Sequence, residues 1–144
     1  MDQRYTFAYI YGAVEACTDN AFALVLPDVN TVCMQIFVDE FAKTIPAGDH
    51  VAFFIDGAGW HTTGALKFPA NITPIRVPPY SPDTNPAERV WEFLKEKYLS
   101  QRLLNDYDAI ADAACIAWNK LTAEAGRLTS LTWLPWRKKP ASQN

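Results

Sequence analysis

Hydrophobic positions along this chain change their period several times, and each change marks an element. Residues 4–14, RYTFAYIYGAV, are rich in aromatic and β-branched side chains and predict a strand. Cys17-Thr18-Asp19-Asn20 predicts a turn, residues 22–26 a second strand, and the two together a hairpin that Pro27 stops. Asn30 is placed to cap a helix. Cys33, Ile36, Phe37, Phe41 and Ile45 recur at helical spacing, so an amphipathic helix is expected over 31–45, ended by Pro46 and Gly48. Residues 50–55 are continuously apolar, the pattern of a strand buried on both faces, and the run stops at Asp56. Gly57, Ala58 and Gly59 then keep a turn free of bulk, and 60–66 predict a short helix. Residues 72–77 predict a strand, which Pro74 assigns to an edge. The loop Pro78-Pro79-Tyr80-Ser81-Pro82 is stiffened by its prolines. Asn85 and Pro86 suit a helix start, with Ala87, Trp91, Leu94 and Tyr98 on one face. Asn105 is a candidate cap for a last long helix with Tyr107, Ile110, Ala114, Trp118 and Leu121 inward. This order predicts an α/β fold: a mixed sheet with helices on its faces.

Composition narrows the class without naming it. With 144 residues, 49% hydrophobic and 20% charged, the chain is expected to form one domain over 1–134, followed by a basic flexible tail over 135–144. No apolar run reaches the ~20 residues of a membrane helix, and MDQRYTF has no leader pattern. Cys17, Cys33 and Cys115 make no zinc or disulfide framework, so reduced thiols packed in the core of a cytoplasmic protein are expected. The net charge of −3 does not advertise nucleic-acid binding. It is unevenly spread, however. Residues 1–88 hold four Lys/Arg against ten Asp/Glu, and residues 89–144 hold nine against six. The basic half ends in Arg137, Lys138 and Lys139. Solvated helix faces with a basic tail account for that split as readily as a DNA-facing half does.

The candidate chemistry lies between residues 51 and 91. In open α/β sheets, ligands bind at the carboxyl ends of the strands. Asp56 ends the apolar strand, and Glu88 falls in the first turn of the helix after the proline loop. Two carboxylates on rigid elements are the hard oxygen donors that Mg²⁺ or Mn²⁺ takes in phosphoryl transfer. Each has a plainer reading. Asp56 could be a turn residue before Gly57, and Glu88 could complete a capping exchange with Asn85. His61 is a metal ligand or a hydrogen-bonded surface imidazole. Trp60 and Tyr80 are platforms for bases or core aromatics. Arg89, Lys95 and Lys97 are phosphate contacts or a solvated face in which Glu92 pairs with Lys95 or Lys97.

Taken together, these residues carry a resemblance. Asp56-Gly-Ala-Gly-Trp-His61, followed by Leu-x-Pro-Pro-x-Ser-Pro-x-x-Asn-Pro-x-Glu-x-x-Trp ending at Trp91 with Val77 in place of Leu, resembles the endonuclease domain of bacterial transposases of the insertion-sequence 630 group, related to mariner transposases. Tyr11-Gly12-Ala13-Val14, Leu24-Val25-Leu26-Pro27 and Ala117-Trp118-Asn119-Lys120 extend it over about residues 4–122. The resemblance implies a ribonuclease-H-like fold and an Asp, Asp, Glu triad holding two Mg²⁺ or Mn²⁺ ions. Asp56 maps onto the second aspartate and Glu88 onto the glutamate. Trp60, His61, Tyr80, Ser81, Asn85, Arg89, Lys95 and Lys97 become expected DNA contacts. It implies DNA as partner, both element ends and a TA-type target, in a bacterial, nucleoid-associated setting. The family's first aspartate lies on a central strand ahead of the first hairpin strand, where only Met1 to Arg4 stand here, and Asp2 is too close to substitute. The expectation is therefore an incomplete catalytic domain, weak or inactive alone, that forms a homo-oligomer or pairs with an upstream transposase fragment. Two alternatives stay open: a non-catalytic fragment modulating a full-length transposase, and a ribonuclease-H-like nuclease with another substrate.

Overall fold

The computed structural model describes residues 8–56, 65–77, 86–99 and 106–134. In chain order these form β1 (Tyr9–Val14), β2 (Ala21–Leu26), α1 (Thr31–Thr44), β3 (Val51–Asp56), β4 (Ile72–Val77), α2 (Pro86–Tyr98), α3 (Tyr107–Ala123) and α4 (Arg127–Leu131). The expected hairpin forms, with β1 and β2 antiparallel and Tyr9 opposite Leu26. The expected helix follows, and the Asn30 side chain accepts from the Cys33 N–H at 2.8 Å. β3 and β4 pair in parallel, and Pro74 is tolerated opposite Phe53 because β4 is an edge.

A single mixed sheet was expected; among the described residues there are two two-stranded sheets instead. A shared layer, α1, joins them. Phe37 stacks on Phe22 of the hairpin at 5.6 Å between ring centroids. One helical turn on, Phe41 touches Phe22 at 5.9 Å and Phe53 of β3 at 5.6 Å. Tyr11, Ala13, Leu24 and Ile72 complete this core. Burial of Phe37 and Val38 contributes on the order of 1.5–3 kcal/mol each.

The other side of the hairpin is covered as well. Strand alternation turns Ile10 and Val14 away from α1 and into a second cluster with Val90 and Leu94 of α2, Ala117 and Leu121 of α3, and Leu128 of α4. Trp91 tilts against Trp118 at 5.7 Å and lies directly over Gly12. A Cβ at position 12 would stand 2.3 Å from the indole Cη2, so only glycine allows this approach of helix to strand.

Several expectations need correction. The apolar run of β3 is covered on one side only: Phe53 and Ile55 turn inward, while Phe54 is 64% exposed and Ile75 of β4 is 38% exposed. On α1 the inward face is Cys33, Met34, Phe37 and Val38, and Ile36 is exposed. Ala113, Ala114, Ala117 and Leu121 are the buried residues of α3, and its cap is Asp106, which accepts from the Ala109 N–H at 2.8 Å. Cys17 and Cys33 are buried thiols but Cys115 is exposed, and all three are free. Residues 65–69 are irregular rather than helical; the rest of the 60–66 segment, Asn105 and the tail over 135–144 lie outside the described residues. Helix α4 had no counterpart in the sequence pattern.

Candidate functional site

Parallel pairing puts the carboxyl ends of β3 and β4 at one rim, where Asp56 stands in register with Val77. From Val77 the chain runs on toward α2, whose third residue is Glu88. Rim and helix start are thus joined in sequence by residues 78–85. The Asp56 carboxylate lies outside the described parts, as do Trp60, His61, Tyr80, Ser81 and Asn85.

Glu88 is exposed in the first turn of α2, where its charge complements the positive end of the helix dipole. Among the described residues its carboxylate takes part in no hydrogen bond or ion pair. The helix beneath it is firmly seated by Val90 and Leu94, both buried, and by Trp91 against Gly12.

The neighbouring cations are differently engaged. Arg89 is half-buried and turns away from the exposed side: its Nε donates to the Leu131 carbonyl and its Nη2 to the Trp133 carbonyl at 2.9 Å. These carbonyls lie at the C-terminal end of α4, where backbone acceptors lack helical partners. Lys95 is exposed. Lys97 reaches across to Glu124 at 2.9 Å instead of pairing along its own helix with Glu92.

Glu124 is the centre of a polar knot that the sequence did not reveal. Its Oε2 accepts from the Tyr98 hydroxyl at 2.7 Å, and its Oε1 accepts from Lys97 and, at 3.2 Å, from Arg127. The Tyr98 hydroxyl bond, followed by the Lys97 bond, holds the carboxyl at about 2, well below its ordinary 4.5. The same bond raises the Tyr98 hydroxyl. Arg127 also lies 4.6 Å from the centre of the Phe93 ring.

The hairpin turn is a second unforeseen contributor. Asp19 accepts from the Gly126 N–H at 2.7 Å through Oδ2, and from the Thr129 N–H at 2.9 Å and hydroxyl at 2.6 Å through Oδ1. It thereby caps α4 from more than a hundred residues away, and the Thr129 hydroxyl above all lowers its pKa. Cys17 adopts φ 65°, a left-handed conformation that costs a non-glycine residue about 1–2 kcal/mol. Its N–H donates to Thr132 Oγ1 at 3.0 Å, and that hydroxyl, fully buried, donates to the Leu128 carbonyl at 2.7 Å.

Among the described residues no three His, Cys, Asp or Glu side chains are grouped to hold a metal ion. What the chain offers a divalent cation is donor chemistry that fits: one carboxylate at a strand end and one, unpaired among the described residues, on a rigid first turn.

A mixed α/β domain with acidic residues at one sheet rim and a following helix start is a general nuclease-like arrangement. Comparison with known proteins narrows it. Residues 2–111 match the DDE superfamily endonucleases, and the chain belongs to that family. It is also 41% identical over 130 residues to the uncharacterized protein y4pE/y4sA of Sinorhizobium fredii (strain NBRC 101917 / NGR234), covering 90% of this chain and 96% of that protein. No solved structure gives a significant match. No helix among the described residues is long and apolar enough to cross a membrane.

Proposed function

We propose that this chain is a transposase-type catalytic domain that acts on DNA by metal-dependent phosphoryl transfer, with Asp56 and Glu88 as two of its acidic ligands. The observation that carries the reading is Glu88: an exposed carboxylate without a partner among the described residues, on a clamped helix start, in a chain of the DDE endonuclease family. Mg²⁺ or Mn²⁺ bound there would supply an activated water or 3′-hydroxyl as nucleophile and stabilise the leaving oxygen. Asp56 and Glu88 bind and orient; no covalent protein intermediate is required.

The reading includes a ribonuclease-H-like sheet completed by a strand that carries a third acidic ligand and joins the hairpin to the parallel pair. Two observations support it: both small sheets lean on α1, and neither has a third strand among the described residues. That strand would be supplied by an upstream transposase segment. Trp60, His61, Tyr80, Ser81, Asn85 and Lys95 are the proposed DNA contacts, with element ends and a TA-type target as substrates, in a bacterial cytoplasmic, nucleoid-associated setting.

Cleavage of labelled element-end duplex in Mn²⁺ tests the proposal, with and without an upstream polypeptide supplying the strand and its aspartate. Cutting that needs the supplement and falls to background in Asp56→Asn and Glu88→Gln is expected. No cutting in the supplemented mixture overturns the catalytic reading. Salt-sensitive binding of the duplex without cutting would favour a non-catalytic modulator instead. Preferential cutting of RNA–DNA hybrid would favour another ribonuclease-H-like nuclease.

A further inference from the structure

Residues 126–134 do more than end the fold. Helix α4 is held at both ends by side chains from elsewhere: Asp19 of the hairpin turn binds backbone N–H groups at its start, and Arg89 of α2 binds carbonyls at and beyond its end. Cys17 and Thr132 tie the same segment to the hairpin turn a second time. The result is a continuous bracket from hairpin turn to α4 to the first turn of α2. Its last link, Arg89, is the residue next to Glu88.

We infer that Arg89 is a positioning residue for Glu88. A guanidinium with two donors bound to two carbonyls has little rotational freedom. It therefore fixes the turn of α2 on which the Glu88 carboxylate is presented. The buried Val90 and Leu94 hold the helix body against the hairpin, but a helix seated by apolar contacts alone can still rotate or fray at its first turn. The Arg89 bonds act on that turn. This inference rests on the reading of Glu88 as a metal ligand, and it extends to Asp19, which seats the far end of α4 without touching α2.

The test measures Mn²⁺ affinity of the folded chain, by the electron paramagnetic resonance signal of free Mn²⁺, alongside Tm. The variants are Glu88→Gln, Arg89→Gln, Arg89→Lys, Asp19→Asn and the double variant Glu88→Gln/Arg89→Gln. Glu88→Gln is expected to weaken Mn²⁺ binding; if it does not, the ligand reading itself falls. Given that loss, Arg89→Gln is expected to cost about tenfold in affinity, as supporting residues of metal ligands do. Asp19→Asn should shift affinity in the same direction by less. Arg89→Lys keeps the charge but not the two-carbonyl geometry and should recover only part of the loss. The double variant should bind no more weakly than Glu88→Gln alone, because Arg89 acts through Glu88. An Arg89→Gln protein with lowered Tm but unchanged Mn²⁺ affinity, beside a Glu88→Gln protein with lost affinity, overturns the positioning role while leaving the ligand reading intact. If Arg89→Gln fails to fold, the Arg89→Lys and Asp19→Asn affinities decide the matter in the same way.

Discussion

Hairpin and parallel pair are both two-stranded, yet they are held in opposite ways. The hairpin has α1 on one side and α2, α3 and α4 on the other, and its turn is pinned by α4. The parallel pair has α1 and the 66–68 segment on one side, while Phe54 and Ile75 remain exposed on the other. A two-stranded sheet is marginal in water without such covering layers. The hairpin is therefore the rigid base of the molecule, and the parallel pair, which ends at Asp56, is its lightly held edge. A candidate site that draws Asp56 from the parallel pair and Glu88 from α2, the helix packed on the hairpin, joins a softer element to a stiff one.

Phe37→Ala should have the largest effect on this contrast. It removes a ring 1% exposed between the hairpin and α1 and should cost about 3–5 kcal/mol in urea unfolding. A cost below about 1 kcal/mol would mean that the hairpin is not the base of the fold. Gly12→Ala comes next. Its methyl meets the Trp91 ring, and the overpacking should cost about 1–3 kcal/mol while moving Trp91 fluorescence; an unchanged spectrum would mean that α2 does not rest on β1.

A smaller effect is expected in acid. The Glu124 carboxyl is lowered to about 2 in the folded chain, below its ordinary 4.5. Its contribution is thus present in full above about 4.5 and is lost as pH falls through about 2. Solvent at this partly exposed knot keeps the effect modest. Glu124→Gln should flatten the stability profile in that window alone; a profile identical to wild type would remove the knot from the account. The smallest effect belongs to Phe54→Ser on the open face, within about 0.5 kcal/mol of wild type. Hydrogen exchange should accompany it, with β3 and β4 amides less protected than those of β1 and β2. The opposite order would reverse the comparison.

What the sequence made legible follows the range of the interactions. The hairpin, the Asn30 cap of α1 and the edge position of Pro74 are specified within a few residues, so local pattern found them. The burial of β3 was misread because an unbroken apolar run carries no record of what covers each side; Phe53 and Phe54 are the same residue type with different surroundings. Of the site, the sequence offered Asp56 and Glu88 through their setting at a strand end and a helix start. It gave no hint that Arg89 would bind backbone carbonyls instead of facing outward. Asp19 looked like a turn residue and is one, but its partners, Gly126 and Thr129, lie 107 and 110 residues further on. Glu124 likewise draws Tyr98 from 26 residues away. Periodicity has no access to pairings of that span.

The clasp between Cys17, Asp19 and the 126–134 segment also has a consequence in time. During synthesis the hairpin turn leaves the ribosome more than a hundred residues ahead of the groups that close over it. At roughly 5–20 residues per second, that delay is on the order of ten seconds. Through that interval Cys17 lacks its Thr132 partner, and α2, once made, lacks the carbonyls that Arg89 binds. The hairpin turn therefore stays unclasped until residues 126–134 arrive, and a chain cut short before residue 126 would lack the clasp.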